Sequence, residues 1–313
     1  MQELVPTLDG WYCMDLWWKM DWPSFQKQSP EVQRGEVSQF KQMLAEFEAN
    51  EEAGKGSWYL FDVSGSKSDL GLILYRETLD ELNEIENRLA KLPLSAFLTR
   101  AGSFVSVGEA GTYSGKPKSD RGWAYVERAV KPKLPKKPYV CFYPMSKTRI
   151  PGANWYTLPF EQRQAYMKDH GMIGRSFGGR VLPFITGAMG LDDHEWGVLL
   201  LADDPLVFKK IIEAMRYAEA SSIYGDFPYF ITGTYLPVED LDHFFLDGWE
   251  VSLPKPGARH TLEGEIIPAG ADEPVSSQPA PSHPTESASS AHGSFEVHES
   301  TSSPSSAEAH HHE

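Results

Sequence analysis

The same order of strand and helix patterns occurs twice along this chain, and this internal repeat limits the folds that are open to it. An apolar strand pattern that runs into a helix start covers residues 70–79, and a similar pattern covers residues 196–205. Thr78 and Asp204 suit the N-cap of the helix that follows, and Pro205 suits its first position. A repeat of about half the folded length indicates a duplication, in which two sheets pack or close on each other.

Further helix and strand patterns flank both copies in the same order. Predicted helices cover residues 30–49, 79–92, 159–170 and 206–217. The first and last strands of the two halves are predicted at residues 11–14, 103–107, 140–143 and 229–233. The order β-α-β-β-α-β is that of a ferredoxin-like unit. We therefore predict an α+β fold built from duplicated ferredoxin-like units.

Composition divides the chain into four segments. Residues 1–111 form the first half, residues 139–253 the second half with the functional site, and residues 112–138, rich in Lys, Pro and Gly, the connection between them. From residue 254 to 313 the chain changes to Ser, Pro, Ala, Glu and His. Such a composition buries too little apolar surface to offset the entropy of ordering, so we predict a disordered tail.

Charge and cysteine content exclude several classes of protein. The formal net charge is -15, which argues against nucleic acid as a partner. Two cysteines, Cys13 and Cys141, are too few for a disulfide framework in a chain of 313 residues. No apolar run is long enough to span a membrane, and the N-terminus lacks a signal-peptide pattern. The expectation is a cytoplasmic protein with no membrane partner.

Three histidines precede the tail: His170, His194 and His243. His170 lies at the predicted end of a helix that Gly171 would stop. At such a position a histidine is more often a charge partner of the helix end than a metal ligand. In the residues before the tail, HxH, HExxH and CxxC spacings do not occur, so a zinc site of the common kinds is not expected there.

Other chemically capable residues have ordinary structural explanations when each is taken alone. Tyr143 and Lys147 lie at the end of a predicted strand and are explained as a core tyrosine and a solvated lysine. Trp155 and Trp196 are explained as core residues. Four arginines are candidates for binding a carboxylate, because a guanidinium group can form two parallel hydrogen bonds with it. For each arginine taken alone, a surface ion pair is the ordinary explanation. The candidates are Arg128, Arg175, Arg180 and Arg216.

Taken together, six motifs in the second half resemble the chlorite dismutase family, and more closely its branch of coproheme decarboxylases from Gram-positive bacteria. The resemblance extends over about residues 7–240, and the combination is specific although each motif alone is weak. It implies a dimeric α/β-barrel-type subunit and a homopentamer. The motifs are Tyr143-Pro144-Met145-Ser146-Lys147, Asn154-Trp155-Tyr156, His170-Gly171-x-x-Gly174-Arg175-Ser176, Thr186-Gly187, Gly190-Leu191-Asp192-Asp193-x-Glu195-Trp196-Gly197-Val198 and Ala202-Asp203-Asp204-Pro205.

The resemblance implies a role for each matching residue. His170 matches the proximal ligand of the haem iron, Tyr143 the tyrosine that becomes a catalytic radical, and Lys147 a lysine that contacts a propionate. The remaining matches surround the porphyrin. They are Arg128 and Arg216 near the propionates or the distal entrance, Ser221 as a hydrogen-bond donor to a propionate, and Met145 and Trp196 as pocket residues, Trp196 also as a secondary oxidation site.

The implied reaction is the peroxide-dependent removal of carbon dioxide from two propionates of Fe-coproporphyrin III (coproheme), which gives haem b. Coproheme is then both substrate and redox centre. A transient contact with the iron-inserting ferrochelatase is a further implied partner. Tyr143 and Lys147 are the expected catalytic residues, and His170 is the expected iron ligand.

One position departs from the family pattern. The Gram-positive decarboxylases have a glutamine thirteen residues after the proximal histidine, and chlorite-degrading members have an arginine there. This chain has Pro183, which has neither a side-chain donor nor an N–H. Two alternatives stay open: a chlorite dismutase or peroxidase-like member, against which Pro183 argues, and a non-catalytic haem-binding or haem-delivery protein.

Overall fold

The computed structural model describes residues 4–113, 115–247, 257, 259–262 and 265–268. Within these residues no helix combines the length and apolar character that crossing a bilayer requires.

Eight strands close into an antiparallel barrel, and a short ninth strand extends one of them. In spatial order, each strand pairs with the next and the last pairs with the first. The small strands β6 (Arg149–Ile150) and β7 (Ala153–Asn154) form a separate hairpin. The barrel strands are β5 (Tyr139–Lys147), β11 (Ile231–Tyr235), β2 (Gly56–Val63), β3 (Leu70–Arg76), β1 (Thr7–Met20), β4 (Leu98–Gly111), β8 (Val181–Gly187) and β9 (Trp196–Ala202), and the extension on β5 is β10 (Gly225–Asp226).

The predicted duplication is confirmed by the strand order. The first half has the order β2-β3-β1-β4, and the second half, followed in the same direction around the barrel, has the equivalent order β8-β9-β5-β11. Each half is therefore a ferredoxin-like sheet with its last strand beside its first. The two sheets join where β11 pairs with β2 and where β4 pairs with β8. This closure removes the sheet edges that either half alone would expose.

Helices cover the outside of the barrel. A cluster of apolar residues drawn from all eight strands fills the interior, with Phe142 and Leu199 among its members. A second cluster packs the helices of the first half against their sheet, and a third packs two helices of the second half against β5, β8 and β9. The helices are α1 (Trp22–Phe25), α2 (Pro30–Glu52), α3 (Leu79–Leu89), α4 (Asp120–Val130), α5 (Phe160–Ser176), α6 (Leu206–Met215), α7 (Glu219–Ser222) and α8 (Leu241–Leu246).

Helix α5 does not stop at Gly171 as predicted. It continues to Ser176, and the glycine with a left-handed backbone is Gly179, at φ +81°. A glycine ends a helix by adopting that conformation, and Gly171 does not adopt it. His170 therefore lies inside a helix that packs on the sheet, and its interaction with a helix end does not apply.

The predicted connection at residues 112–138 contains helix α4. Ser119 caps its first turn by accepting a hydrogen bond from the Gly122 N–H at 3.2 Å. The helix ends against strands β1 and β4, because Gly10 and Gly108 leave room for the carbonyl of Val130; a Cβ atom at either glycine would come within 2.1 or 2.3 Å of that oxygen.

The segment predicted as a disordered tail, residues 254–313, contains a hairpin in its described part. Strand β12 (Arg259–His260) pairs with β13 (Ile266–Ile267). The Nε2 of His260 lies 3.0 Å from Oδ1 of Asp204, which also accepts the N–H of Leu206 at the start of α6. The rest of the predicted tail lies outside the described residues.

We expect His260→Ala to lower the stability of the full chain by about 1 kcal/mol, because a charge-assisted hydrogen bond at a shielded position is lost. For a chain of this size the melting temperature should fall by about 2–4 °C in calorimetry. His243→Ala is the matched control, since His243 pairs with Asp247 on an exposed surface. An unchanged melting temperature for His260→Ala, or an equal fall for the control, would show that the hairpin contributes nothing.

Candidate functional site

Strand β5 presents Tyr143, Met145 and Lys147 on one face. Side chains two apart along a strand point the same way. Tyr143 and Met145 belong to the cluster that packs under α5 and α6, whereas Phe142 belongs to the barrel interior. The outer face of β5 therefore carries a phenol, a thioether and an ammonium group in a row, beneath the helices of the second half.

Tyr143 is buried with its ring held between two phenylalanines. The ring centroids of Phe230 and Phe227 lie 4.9 and 5.9 Å away. Burial raises the pKa of the Tyr143 phenol, and the positive charge of Arg216 opposes this rise only in part. The hydroxyl therefore keeps its proton at neutral pH.

Lys147 is buried at the end of β5 with its ammonium group already oriented. Its Nζ donates to the carbonyl of Ala220 at 2.6 Å and lies 4.3 Å from the centroid of the Trp155 ring. Burial lowers its pKa to about 8, and the negative charge of Glu195 opposes that shift. The group is thus mostly charged at neutral pH but poorly solvated, which favours a carboxylate partner.

His170 faces the same region from helix α5. Burial and, to a smaller extent, the nearby positive charge of Lys147 lower its pKa to about 4. The imidazole is therefore neutral at physiological pH. Its Nδ1 is buried and has no hydrogen-bond partner among the described residues. A neutral imidazole with unmet hydrogen-bonding capacity is suited to a metal or to a ligand that brings its own donor or acceptor.

Arg216 and Ser221 lie beyond the end of α6, on the chain segment that passes over Tyr143 and Lys147. The guanidinium of Arg216 stacks 4.1 Å from the ring centroid of Phe227, on an otherwise exposed side chain. Ser221 is buried in α7, next to the Ala220 carbonyl that binds Lys147. Both can supply hydrogen bonds to an anion at this end of β5.

Pro183 and Trp196 extend the same sheet face across two neighbouring strands. Pro183 is opposite Leu200 on β9, and Trp196 is opposite Met145 on β5. The indole N–H of Trp196 donates to Glu109 at 3.0 Å. Ile185, two residues along β8 from Pro183, is 38% exposed. This side of the site is thus an apolar wall with no donor at position 183.

Arg128 makes its hydrogen bond away from these residues. It lies on the exposed surface of α4, and its Nε donates to the Ala124 carbonyl of the same helix. Its predicted role near the porphyrin stays a prediction.

The other two histidines lie apart from His170. His194 contacts the Ser146 hydroxyl at 3.5 Å and the edge of the Tyr229 ring, and His243 pairs with Asp247 one helical turn away. Within the described residues no group of three His, Cys, Asp or Glu side chains could hold a metal ion.

Three residues that sequence reasoning did not place in the site define its geometry. Trp155 and Ala220 hold the Lys147 ammonium, and Glu195 accepts the Lys147 N–H at 2.7 Å. Trp155 was correctly expected in the core, where it is 2% exposed. Its contact with Lys147 joins segments that no local pattern relates.

With this geometry established, comparison with known proteins decides the family. The model of the chlorite dismutase family matches residues 34–236. The chain belongs to the chlorite dismutase family. The predicted resemblance and the predicted α+β fold are therefore confirmed.

Individual members of the family are similar over most of the chain. A coproheme decarboxylase from Staphylococcus carnosus (strain TM300) is 41% identical over 247 residues, 78% of this chain and 99% of that protein. A haem-binding protein from Thermus thermophilus is 40% identical with a TM-score of 0.75, covering 78% of this chain and 98% of the other. A mutant chlorite dismutase from Candidatus Nitrospira defluvii is 20% identical with a TM-score of 0.63, over 76% and 96%, a likeness of fold alone.

Proposed function

We propose that this chain is a coproheme decarboxylase. It would use hydrogen peroxide to convert two propionates of coproheme to vinyl groups, giving haem b through a monovinyl intermediate. The observation that carries the proposal is that β5 presents the protonated phenol of Tyr143 and the buried ammonium of Lys147 on one face, beneath the helix that carries the neutral imidazole of His170. The 41% identity to a coproheme decarboxylase supports it.

The residues at this site fit coproheme. A ferric porphyrin needs an imidazole that is not protonated, and burial keeps His170 in that form. Its four propionates need cations and donors, which Lys147, Arg216 and Ser221 can supply. The apolar wall around Met145, Trp196 and Pro183 would contact the porphyrin ring. His170 would hold the iron.

The chemistry assigned to this chain is the transfer of hydrogen from a propionate. Bound ferric coproheme supplies the centre at which peroxide is reduced. Tyr143 gives up its phenolic hydrogen atom, and the resulting phenoxyl oxygen takes a hydrogen atom from the β-carbon of a propionate. Loss of one more electron and of carbon dioxide leaves a vinyl group. For each propionate the hydrogen atom and the second electron together supply two electrons and one proton, which with one further proton reduce one peroxide to two water molecules.

Lys147 orients the reacting propionate in this proposal. Its ammonium is held by a carbonyl and an aromatic face rather than by a paired carboxylate. An incoming carboxylate can therefore bind it without displacing a strong ion pair. Pro183 supplies no distal hydrogen bond, which argues against chlorite dismutation, whereas decarboxylation depends on Tyr143 and Lys147.

One experiment separates the enzyme from a haem-binding protein, the alternative that the Thermus relative favours. The purified chain is loaded with ferric coproheme, peroxide is added, and the porphyrin mass is followed. An enzyme gives haem b after the loss of two carbon dioxides. A binding protein gives unchanged or bleached coproheme. By the same resemblance we propose a cytoplasmic homopentamer that contacts the ferrochelatase transiently, and light scattering tests the oligomer.

Lys147→Met should weaken coproheme binding by about tenfold, because one charge-assisted hydrogen bond to a propionate is lost. The matched control is Lys209→Met, which removes an exposed lysine of α6 paired with Glu213. Fluorescence or absorbance titration measures both dissociation constants. Equal affinity of Lys147→Met and the control would remove Lys147 from the binding site.

Affinity should also depend on pH through the same group. The pKa of Lys147 is about 8 in the free protein, so the ammonium is lost as pH rises through that value. Propionates are ionised well below pH 7. Coproheme affinity should therefore fall between about pH 7 and pH 9 in the unmodified chain, and this fall should be absent in Lys147→Met. If affinity still falls over this pH range in Lys147→Met, a group other than Lys147 causes the fall.

A further inference from the structure

We propose that Glu195 is a positioning residue, which fixes the end of β5 so that the Lys147 ammonium meets a carboxylate of the substrate. The proposal deepens the coproheme decarboxylase function and rests on it. Glu195 belongs to the sequence motif Gly190 to Val198. Neither the resemblance nor the proposed reaction gives this glutamate a role.

Glu195 joins three points around the site through its backbone and side chain. Its side-chain Oε2 accepts the N–H of Lys147 at 2.7 Å. Its own N–H donates to the carbonyl of Met145 at 3.1 Å, and its carbonyl accepts the N–H of Ala188 at 2.8 Å. The residue thus holds two alternate residues of β5 that both belong to the candidate site.

The location explains why a side chain is needed there. Strand β9 begins at Trp196, which is opposite Met145, so the ladder between β5 and β9 ends at that pair. Lys147 lies two residues beyond it and has no partner on β9. The Glu195 carboxylate takes the place of the missing strand and binds β5 on the side that β9 no longer covers.

No surface ion pair accounts for this buried carboxylate. Glu195 is 8% exposed, and its ion-pair contact with Arg149 spans 4.0 Å, the limit of such an interaction. The carboxylate also lies near the Tyr156 phenol, whose pKa is raised mainly by burial and further by Glu195. Burying a carboxylate is unfavourable unless hydrogen bonds compensate for lost hydration, and the short bond from the Lys147 N–H supplies such compensation.

The consequence for Lys147 is geometric. The backbone of the residue is held by Glu195 on the β9 side and by Gly225 of β10 on the other, and the Nζ is held by the Ala220 carbonyl and the Trp155 ring. With both ends held, the ammonium loses little conformational freedom when it binds a carboxylate. Loss of the Glu195 contact would free the β9 side of this backbone and let the Cα shift, which would misalign the Nζ with the propionate.

Four variants separate the effect of side-chain length at position 195 from the effect of its charge. Glu195→Gln keeps an oxygen within reach of the Lys147 N–H but loses the charge. Glu195→Asp keeps the charge but is one methylene too short, and Glu195→Ala loses both. Asp193→Asn is the matched control for charge, because Asp193 is an exposed acid of the same loop.

Hydrogen exchange tests the contact in the chain without ligand. The Lys147 amide should exchange at least about tenfold faster in Glu195→Ala and Glu195→Asp than in the unmodified chain. It should exchange at the normal rate in Glu195→Gln and Asp193→Asn. Unchanged protection in the Asp variant, or lost protection in the Gln variant, overturns the proposal. If Glu195→Ala does not fold, the Asp and Gln variants still decide the matter.

A double-mutant cycle on coproheme affinity tests whether Glu195 acts through Lys147. Glu195→Asp alone should weaken binding by about tenfold, which corresponds to about 1.4 kcal/mol, and Glu195→Gln by less than about twofold. In the Lys147→Met background Glu195→Asp should add no further loss. Additive losses would mean general damage and overturn the proposal. The exchange experiment needs no coproheme. If the four variants exchange as expected but the unmodified chain does not decarboxylate coproheme, the proposed function is refuted and the positioning role of Glu195 is not.

Discussion

We expect Tyr143→Phe to bind coproheme as tightly as the unmodified chain but to release no carbon dioxide when peroxide is added. This loss of decarboxylation is the largest effect that we expect of any substitution. The proposed reaction requires an oxidisable O–H beside the propionate, and phenylalanine has none. The proposed iron ligation by His170 and the proposed propionate binding by Lys147 and Arg216 would not involve the hydroxyl. The rate of haem b formation should fall by at least about 100-fold, the lower end of the effect of a positioned proton-transfer group.

The fold should tolerate this substitution. Phenylalanine retains the ring that packs against Phe227 and Phe230. This apolar packing under α5 and α6 holds the side chain in place, and it does not need the hydroxyl. The melting temperature of the variant should therefore stay close to that of the unmodified chain, and a loss of turnover cannot be attributed to unfolding.

Tyr224→Phe is the matched control for this experiment. Tyr224 is another buried tyrosine of the same half, with its ring centroid 5.5 Å from that of Trp155, and it is not assigned a role in the reaction. We expect it to form haem b at close to the unmodified rate. Haem b formation by Tyr143→Phe at that rate would exclude the tyrosyl route and favour a radical at Trp155 or Trp196.

The strand positions of the site follow from local rules, and its contacts do not. Alternation along β5 predicts that Tyr143 and Lys147 share a face, and the internal repeat predicts the duplicated sheet. Neither predicts that Trp155 and Ala220 hold Lys147, because these contacts join segments far apart in sequence. Closure of the barrel likewise depends on β4 meeting β8 across the two halves.

Glycine was the main source of error in the predicted helix boundaries. Gly171 indicates a stop by composition, but a glycine stops a helix only when the backbone turns left-handed, and tertiary packing decides which glycine does so. Here Gly179 does, and Gly171 and Gly174 stay within α5. Gly174 lies against Met215 of α6, where an added Cβ would come within 3.3 Å of the methionine methyl. Packing of α5 on α6 thus favours the small residue.

His170→Ala should remove the five-coordinate, histidine-ligated spectrum of the ferric coproheme complex. His170 is neutral at the working pH, since its pKa is about 4, and so the imidazole is free to bind iron. We expect coproheme affinity to fall by at least about tenfold, because loss of even an outer partner of a metal ligand costs about 10–100-fold in metal affinity. Propionate contacts should preserve weak binding.

His194→Ala is the matched control, and added imidazole is the decisive second measurement. His194 lies on the loop before β9, contacts Ser146 and Tyr229, and is the other histidine near the end of β5. Its removal should leave the spectrum unchanged. Free imidazole should restore the five-coordinate spectrum in His170→Ala, because the deletion leaves a space of matching shape on α5. A normal spectrum in His170→Ala, with its loss in His194→Ala, would show that His194 is the iron ligand. The proposed position of the reacting propionate beside Tyr143 would then be wrong.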